Sequence, residues 1–179
     1  MRIVGGKYRR RLLEYPPETI TRPTMDKVRE ALMSAIGEEI LNRNVLDLFA
    51  GSGALGIESL SRGAARCVFV DSNYLATETI ARNIRALGVE EETRIEKKDA
   101  VRFLEEQREP FSLVFLDPPY RNKEIYPKCI GLLKERNLLS EEAILVVESE
   151  EEREEDPYFS RFRTYKYGRI HISIYWRSL

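Results

Sequence analysis

Short apolar runs alternate along this chain with stretches in which apolar residues recur every three or four positions. The runs are too short for helices and are bounded by turn residues, so each predicts a buried strand. The longer stretches have the periodicity of amphipathic helices. Strands that alternate with helices form a parallel sheet with right-handed crossovers. The predicted strands are 45–49, 67–70, 93–96, 112–116 and 143–147, and the predicted helices are 28–40, 55–62, 75–87, 101–104 and 126–134.

The last part of the chain has a different pattern. Residues 162–167 and 170–176 alternate apolar and polar positions, and Gly168-Arg169 separates them, which predicts a hairpin. The hairpin adds an antiparallel strand to the end of the sheet. The predicted fold class is therefore α/β, with a seven-stranded, mostly parallel sheet, a C-terminal antiparallel hairpin and helices on both faces.

The N-terminal residues differ from the predicted core. Residues 2–13 have apolar ends around Gly5-Gly6, which predicts a small hairpin or an extended arm with its arginines facing outward. Thr24 is a candidate cap for the first helix. For a chain of 179 residues we expect one domain over residues 1–179, made of a basic arm (1–24) and a core (25–179).

A glycine-rich turn follows the first predicted strand. Gly51-x-Gly53-x-x-Gly56 lies between this strand and the next helix, where glycines let the backbone approach a ligand closely. About twenty residues further on, Asp71 ends a second strand, where an acid can hold two ribose hydroxyls. Together these features predict a site for a nucleoside-containing cofactor.

The same glycine spacing also occurs in nicotinamide-dependent enzymes, so oxidoreduction is an alternative. A dehydrogenase needs a proton donor or base beside the carbonyl of its substrate. The only histidine of the chain, His171, lies in the terminal hairpin and is best explained as an ordinary sheet residue. The lack of a candidate proton donor or base near the glycine turn weighs against a nicotinamide cofactor.

The motif Asp117-Pro118-Pro119-Tyr120 follows the fourth predicted strand. Proline has no backbone donor, so the loop offers carbonyl acceptors, and the residue before each proline is held extended. These carbonyls and the Asp117 carboxylate can accept both hydrogens of an exocyclic amine and so direct its lone pair at an electrophile. Tyr120 offers a ring on which a base can stack, and its hydroxyl is assigned no role.

Composition limits the remaining possibilities. A net charge of −1 gives no general affinity for polyanions, and no stretch approaches the roughly 20 apolar residues of a membrane span. Cys67 and Cys129 lack metal-ligand spacing and are typical of buried thiols, so no metal is expected. The N-terminus has no apolar segment of a signal peptide. We therefore expect a cytoplasmic protein without membrane contact.

Charge is unevenly distributed along the chain. Residues 1–29 carry eight basic residues and three acids, and residues 148–156 carry seven acids and one base. The acidic run predicts a solvated loop that repels RNA. The basic segment, which also holds Tyr8, predicts phosphate contacts that give affinity without base specificity. The proposed RNA-binding residues are Arg2, Lys7, Arg9, Arg10, Arg11, Arg22 and Arg29.

These motifs resemble those of Rossmann-like class I methyltransferases that use S-adenosyl-L-methionine. Residues 46–56 resemble the cofactor glycine motif, Asp71 the ribose acid and Asp99-Ala100 the adenine-contacting turn. Asp117-Pro-Pro-Tyr120 resembles the catalytic tetrapeptide of enzymes that methylate exocyclic amines, with Asp117, Pro118 and Tyr120 as catalytic residues. The cofactor-binding residues that the resemblance implies are Asp47, Phe49, Ala50, Gly51, Ser52, Gly53, Asp71, Asp99 and Ala100.

A narrower resemblance covers almost the whole chain. Residues 2–6, 22–30, 49–63 and 146–149 are similar to motifs of the bacterial RsmD family. This resemblance implies methylation of N2 of guanine 966 in small-subunit ribosomal RNA. The expected partner is that RNA in an assembled or assembling 30S particle, and the enzyme is expected to be a monomer. The family usually has a glycine at the position of Arg10, where a tight turn is expected.

Two alternatives remain at this point. An adenine-N6 DNA methyltransferase shares the Asp-Pro-Pro-Tyr motif, but such enzymes normally carry an added target-recognition segment, for which no stretch here is long enough. A non-catalytic ribosome-assembly factor would keep the fold and the basic arm. The intact glycine turn and the intact tetrapeptide weigh against it.

Overall fold

The computed structural model describes residues 1–17 and 26–178. Seven strands form one sheet, and the two terminal strands pair through a hairpin turn, as the sequence predicts. The proposed cap Thr24 and the proposed RNA contact Arg22 lie outside the described residues. The strands are β1 (Asn44–Leu48), β2 (Arg66–Asp71), β3 (Thr93–Lys97), β4 (Phe111–Leu116), β5 (Leu139–Ser149), β6 (Arg161–Tyr167) and β7 (Ile170–Trp176).

The helices follow the predicted periodicity. Asn73 caps the third helix, because its side chain accepts from the N–H groups of Leu75 and Ala76, and Gly88 ends it in the left-handed conformation. None of the described helices is long and apolar enough to cross a membrane. The helices are α1 (Asp26–Ile36), α2 (Ala54–Ser61), α3 (Tyr74–Leu87), α4 (Ala100–Glu106) and α5 (Ile125–Glu135), with 3-10 turns at Gly37–Ile40 and Glu90–Glu92.

The strand order is β3-β2-β1-β4-β5-β7-β6. The pairs among β1 to β5 are parallel, and β7 runs antiparallel to both β5 and β6. The strand order reverses at β1: β2 and β3 are added on one side of it, and β4 and β5 on the other. Ligands of open α/β sheets bind beside such a switch point, at the carboxyl ends of the strands.

Alternate residues of the strands pack on opposite faces of the sheet. Val45 of β1 and Phe115 of β4 belong to a core shared with α1, α2 and α3. Leu46 and Val114, one position along, belong to a second core shared with α4 and α5. Both faces of the central strands are therefore covered, which is why they appear in the sequence as continuous apolar runs.

The N-terminal residues form a hairpin that is docked on α2. Arg2 and Leu12 form an antiparallel bridge, and the Ile3 N–H donates to the Arg11 carbonyl over 3.0 Å. Ile3 is buried in the core, and the Lys7 N–H donates to the Ser61 carbonyl at the end of α2 over 2.7 Å. Of the two conformations that the sequence leaves open, the hairpin is the one found.

The acidic run 148–156 is not simply a solvated loop. Glu148 and Ser149 complete β5 and are 5% and 3% exposed. Asp156 forms an ion pair with Lys134 of α5 and accepts a hydrogen bond from the Tyr158 N–H. The prediction of a solvated loop fails at these positions because a run of charge indicates exposure, whereas the carboxylates of Glu148 and Asp156 have specific hydrogen-bond donors in the fold.

The backbone of Arg10 generates a prediction for stability. Its φ is +73°, and its N–H donates to the Ile3 carbonyl over 2.8 Å, so the hairpin retains a left-handed turn without the glycine usual in the family. Arg10→Gly should raise the free energy of unfolding by about 1 kcal/mol, since a left-handed residue with a Cβ costs roughly 1–2 kcal/mol. Arg9→Gly, at a position whose φ is not positive, should lower it by about 0.5 kcal/mol. Urea unfolding measures both changes, and equal effects of the two variants would contradict a left-handed Arg10.

Candidate functional site

The register of the sheet brings the predicted site residues to one edge. Leu48 of β1 pairs with Val70 of β2 on one side and with Leu116 of β4 on the other. The residues that follow these positions therefore lie side by side. Asp71 pairs in turn with Lys97, two residues before Asp99. The glycine turn, Asp71, Asp99 and the Asp117 tetrapeptide all follow the carboxyl ends of neighbouring strands.

The turn after β1 is held by the acid that ends β2. Gly51 and Gly53 have φ values of +59° and +81°, a conformation that favours glycine. The Gly51 N–H donates to Asp71 Oδ2 over 2.9 Å, and the Asn73 N–H donates to Asp71 Oδ1 over 2.9 Å. Phe49, also at positive φ (+59°), begins the turn. Asp71 thus shapes the turn and still has acceptor capacity on both oxygens for ribose hydroxyls.

Gly56 has a different role from the first two glycines. A Cβ on Gly56 would lie 2.4 Å from Phe69 Cε1 and 2.5 Å from Cys67 Sγ. These side chains belong to β2, so the absence of a Cβ allows α2 to pack closely on the sheet. The three glycines together fit the arrangement in which a helix N-terminus meets a nucleotide-like ligand.

Asp47 of β1 binds the end of the glycine motif through a buried hydrogen bond. It is 1% exposed, and its Oδ2 accepts a hydrogen bond from the Gly56 N–H over 3.0 Å. Burial raises the pKa of Asp47 to about 8, opposed by this hydrogen bond and assisted by the charge of Asp71. The expectation that Asp47 contacts the cofactor is therefore corrected: its carboxyl group is enclosed and engaged by the protein backbone.

Asn83 of α3, which the sequence does not single out, connects the turn to the N-terminal segment. Its Nδ2 donates to the Ser52 carbonyl over 3.1 Å and to the Glu14 carbonyl over 3.1 Å, and its Oδ1 accepts from the Glu14 N–H over 2.8 Å. Ser52 and Ala50 are both buried. They can therefore serve a ligand only through the backbone of the turn.

Asp99 and Ala100 begin α4 at the carboxyl end of β3. The Asp99 side chain caps the helix by accepting from the Arg102 N–H over 3.0 Å, and Asp99 is otherwise exposed. Ala100 is buried beneath it. This geometry leaves an exposed carboxylate at the place where the sequence predicts the adenine-contacting turn.

The tetrapeptide follows β4 directly. Leu116 is completely buried, Asp117 and Tyr120 are half-buried, Pro118 is buried and Pro119 is exposed. The loop therefore leaves the sheet beside the glycine turn, since β1 and β4 are paired up to Leu116. Acceptor oxygens and an aromatic ring are available there, as the sequence predicts.

Glu148 is a member of the site that sequence reasoning missed. It lies near the end of β5, next to β4, and its Oε1 accepts a hydrogen bond from the Tyr120 hydroxyl over 2.7 Å. The Tyr126 hydroxyl donates to the Glu148 carbonyl over 3.0 Å. Burial, followed by the nearby carboxylates of Asp117 and Glu148, raises the pKa of Tyr126, which stays a neutral donor. The available signal was the apolar run that leads without a turn residue into Glu148.

The prediction that Arg29 binds RNA is wrong. Its side chain is 0% exposed, and its Nε donates to Glu58 Oε1 over 3.2 Å. Its Nη2 donates to Asp26 over 2.9 Å and also to the Arg2 carbonyl. A guanidinium buried among these partners is closed to a phosphate, so Arg29 has a structural role.

Glu58 of α2 receives hydrogen bonds from three segments of the chain. Its Oε1 accepts from the Val4 N–H over 3.0 Å as well as from Arg29, and its Oε2 accepts from the Gly5 N–H and from Arg62 Nε, each over 3.0 Å. The basic hairpin is thereby fixed against the helix that follows the glycine turn. Its exposed cations are Arg2, Lys7, Arg9, Arg10 and Arg11.

Comparisons with known proteins identify the family of this chain. The profile of the family described as "Conserved hypothetical protein 95" matches residues 1–176. Ribosomal RNA small subunit methyltransferase D of Escherichia coli is 38% identical over 152 residues, which cover 85% of this chain and 76% of that protein. The Haemophilus influenzae protein of the same name is 34% identical over 156 residues, which cover 86% of this chain and 80% of that protein.

Solved structures are similar over nearly the whole chain. The Escherichia coli protein yhhF has a TM-score of 0.88 at 35% identity, with 99% of this chain and 98% of that chain covered. An RNA methyltransferase from Salinibacter ruber, solved with S-adenosyl-L-homocysteine, has a TM-score of 0.67 at 17% identity over 88% of this chain and 94% of that chain, which is a likeness of fold. The family profile and the close relatives agree, and this chain belongs to the RsmD family of S-adenosylmethionine-dependent ribosomal RNA methyltransferases.

Proposed function

We propose that this protein transfers the methyl group of S-adenosyl-L-methionine to the exocyclic N2 of guanine 966 in small-subunit ribosomal RNA, in an assembled or assembling 30S particle in the cytoplasm. The observation that carries the proposal is the pairing of β1 with β4 up to Leu48 and Leu116. It sets the glycine turn, which fits the cofactor, beside the tetrapeptide, which fits an exocyclic amine.

The cofactor would lie over the turn after β1. Asp71 would accept the ribose hydroxyls, the backbone of residues 49–53 would face the methionine part, and Asp99-Ala100 would contact the adenine. When bound, S-adenosylmethionine supplies a methyl group already activated by its sulfonium. The protein then has to position the target nitrogen and exclude water.

The tetrapeptide would hold the target amine. The Asp117 carboxylate and the Pro118 carbonyl accept the two N2 hydrogens, which directs the nitrogen lone pair at the methyl carbon. As the new N–C bond forms, the bond between the methyl carbon and sulfur breaks, and S-adenosylhomocysteine is the leaving group. N2 becomes positively charged, these oxygens stabilise that charge, and the N2 proton then leaves to solvent or to Asp117. Tyr120 stacks on the guanine. A guanine buried in a duplex would not reach this loop, so the target base must be unpaired or flipped out.

The basic hairpin would bind the RNA backbone. Its exposed cations are fixed relative to the glycine turn through Glu58, so phosphate contacts made there would also orient the RNA over the site. Mass-spectrometric nucleoside mapping of ribosomal RNA from a deletion strain tests the proposal. Loss of N2-methylguanine at one position supports it, whereas loss of N6-methyladenine from DNA, or no lost methylation, supports one of the two alternatives.

The cofactor assignment predicts selective binding. Calorimetry should show that the protein binds S-adenosylhomocysteine and not NAD⁺. Asp71→Ala should weaken this binding at least tenfold, because two ribose hydrogen bonds of about 1 kcal/mol each are lost. Glu92→Ala, which removes an exposed acid at the amino end of β3, is the matched control. NAD⁺ binding without a response to S-adenosylhomocysteine would contradict the assignment.

Replacing Asp117 should lower the turnover number far more than the affinity for RNA. Asp117→Ala removes an acceptor that gains strength as N2 becomes cationic, so kcat should fall on the order of 10²–10³-fold. Asp117→Asn keeps one acceptor oxygen and should lose less. Methyl incorporation into small subunits that lack the modification gives the rates, and thermal melting confirms folding. A folded Asp117→Ala protein with wild-type kcat would make the tetrapeptide a structural feature.

Removing the hairpin cations should weaken RNA binding and its salt dependence. The logarithm of the RNA-binding constant falls with the logarithm of the salt concentration, and each phosphate contact adds roughly 0.7–0.9 to the steepness of that fall. Replacing Arg9, Arg10 and Arg11 by alanine should therefore make the fall less steep by about two. Cofactor affinity should be unchanged. A control triple variant at Arg66, Arg94 and Arg108, which are exposed towards the amino ends of the strands, removes the same charge elsewhere. Equal slopes for the two triple variants would show that the hairpin makes no phosphate contacts.

A further inference from the structure

We infer that Glu148 is a positioning residue for methyl transfer: its carboxylate holds the Tyr120 ring in the orientation in which the target guanine stacks. The inference rests on the proposed function and adds a residue to it. Its central observation is the 2.7 Å hydrogen bond from the Tyr120 hydroxyl to Glu148 Oε1.

The two partners differ in how firmly the fold holds them. Glu148 lies within β5, where Val147 pairs with Leu116 of β4 and Glu148 itself pairs with Ile172 of β7. Its carbonyl also accepts from the Tyr126 hydroxyl. Tyr120 lies on the segment between β4 and α5, outside any helix or strand. The hydrogen bond therefore ties a side chain of a connecting segment to the centre of the sheet.

The chemistry of the contact favours an orienting role. A phenol that donates to a carboxylate forms a short, strong bond with a defined direction, which restricts the ring as well as the hydroxyl. The ring can then be preorganised before RNA arrives, so that less freedom is lost when the guanine stacks.

A role in stability alone explains the contact less well. Glu148 is 5% exposed, and burying a carboxylate is costly unless donors satisfy it. An apolar residue in such a place is often neutral or stabilising for the fold. The carboxylate is also close to the reaction, since Asp117 and Glu148 line the same small cavity beneath the tetrapeptide. A carboxylate retained at this place is better explained by what it does to the tetrapeptide.

The inference changes the expectation for the Tyr120 hydroxyl. The sequence assigns the ring a role and the hydroxyl none, which would make Tyr120→Phe almost silent. With the hydroxyl bound to Glu148, Tyr120→Phe should keep the stacking face but lose its fixed orientation. We expect kcat to fall about tenfold, with the affinity for S-adenosylhomocysteine unchanged.

A double-mutant cycle tests the inference. Tyr120→Phe, Glu148→Leu and the double variant are compared with wild-type protein in methyl transfer to small subunits that lack the modification. Each single variant should lower kcat about tenfold, and the double variant should lower it no further, because each removes the same hydrogen bond. Glu148→Gln retains an acceptor oxygen in the same place and should stay within about threefold of wild type. Glu142→Leu, on an exposed position of β5, is the matched control and should be silent.

Each outcome of this cycle decides the question. Effects that multiply in the double variant, or a fully active Tyr120→Phe, would overturn the positioning role. A Glu148→Gln variant as slow as Glu148→Leu would also overturn the positioning role, because the negative charge, and not the hydrogen bond to Tyr120, would then be required. Calorimetry with S-adenosylhomocysteine and thermal melting exclude a loss of fold as the cause of any lower rate. If wild-type protein transfers no methyl group to the subunits, the proposed function fails and the positioning role fails with it; an active wild type with multiplying effects overturns the positioning role alone.

Discussion

The buried carboxylate of Glu58 is the interaction on which the arrangement of the N-terminal part depends. A charge with no access to water must be satisfied by donors, and its donors come from the hairpin backbone, from Arg29 of α1 and from Arg62. Satisfying that one group therefore fixes the hairpin and α1 against α2. Because α2 begins at the glycine turn, the exposed cations of the hairpin acquire a defined position relative to the cofactor site.

Side-chain carboxyl groups also fix neighbouring segments by hydrogen bonds around the candidate site. Asp71 holds the glycine turn through the Gly51 N–H, and Asp47 holds the start of α2 through the Gly56 N–H. Glu148 holds Tyr120. The Asp71 and Glu148 carboxylates lie on strands and accept from connecting segments, whereas the carboxyl group of Asp47, also on a strand, accepts from the first turn of α2. The sheet thus holds the segments that carry the candidate site residues. Such preorganisation lowers the entropy lost when ligands bind.

The sequence predicts the strands of the sheet well, but it predicts the burial of charged residues poorly. Residues 45–49 and 112–116 are mostly buried and mostly apolar, with Asp47 and Ser112 as the polar exceptions, and the strands found there begin and end within one residue of the prediction. The start of β5 is missed, because residues 140–142 are polar and the register with β4 shifts between the pair Phe111–Leu139 and the pair Leu113–Ile144. Arg29 and Glu148 are misplaced for a shared reason: charge in a sequence indicates exposure, and the partners that permit burial are distant in the chain.

Asn83 adds a second connection between the N-terminal segment and the glycine turn. Asn83 bonds both to the Ser52 carbonyl in the glycine turn and to the backbone of Glu14, just beyond the hairpin. The N-terminal segment is thus joined to the cofactor turn at two places, through Glu58 on α2 and through Asn83 on α3. A segment held at two points has little freedom to rotate, so phosphate contacts on the hairpin would constrain where the RNA lies along the edge of the sheet. In the proposed function, the tetrapeptide would then have only to select and orient a base that the hairpin had already brought within reach.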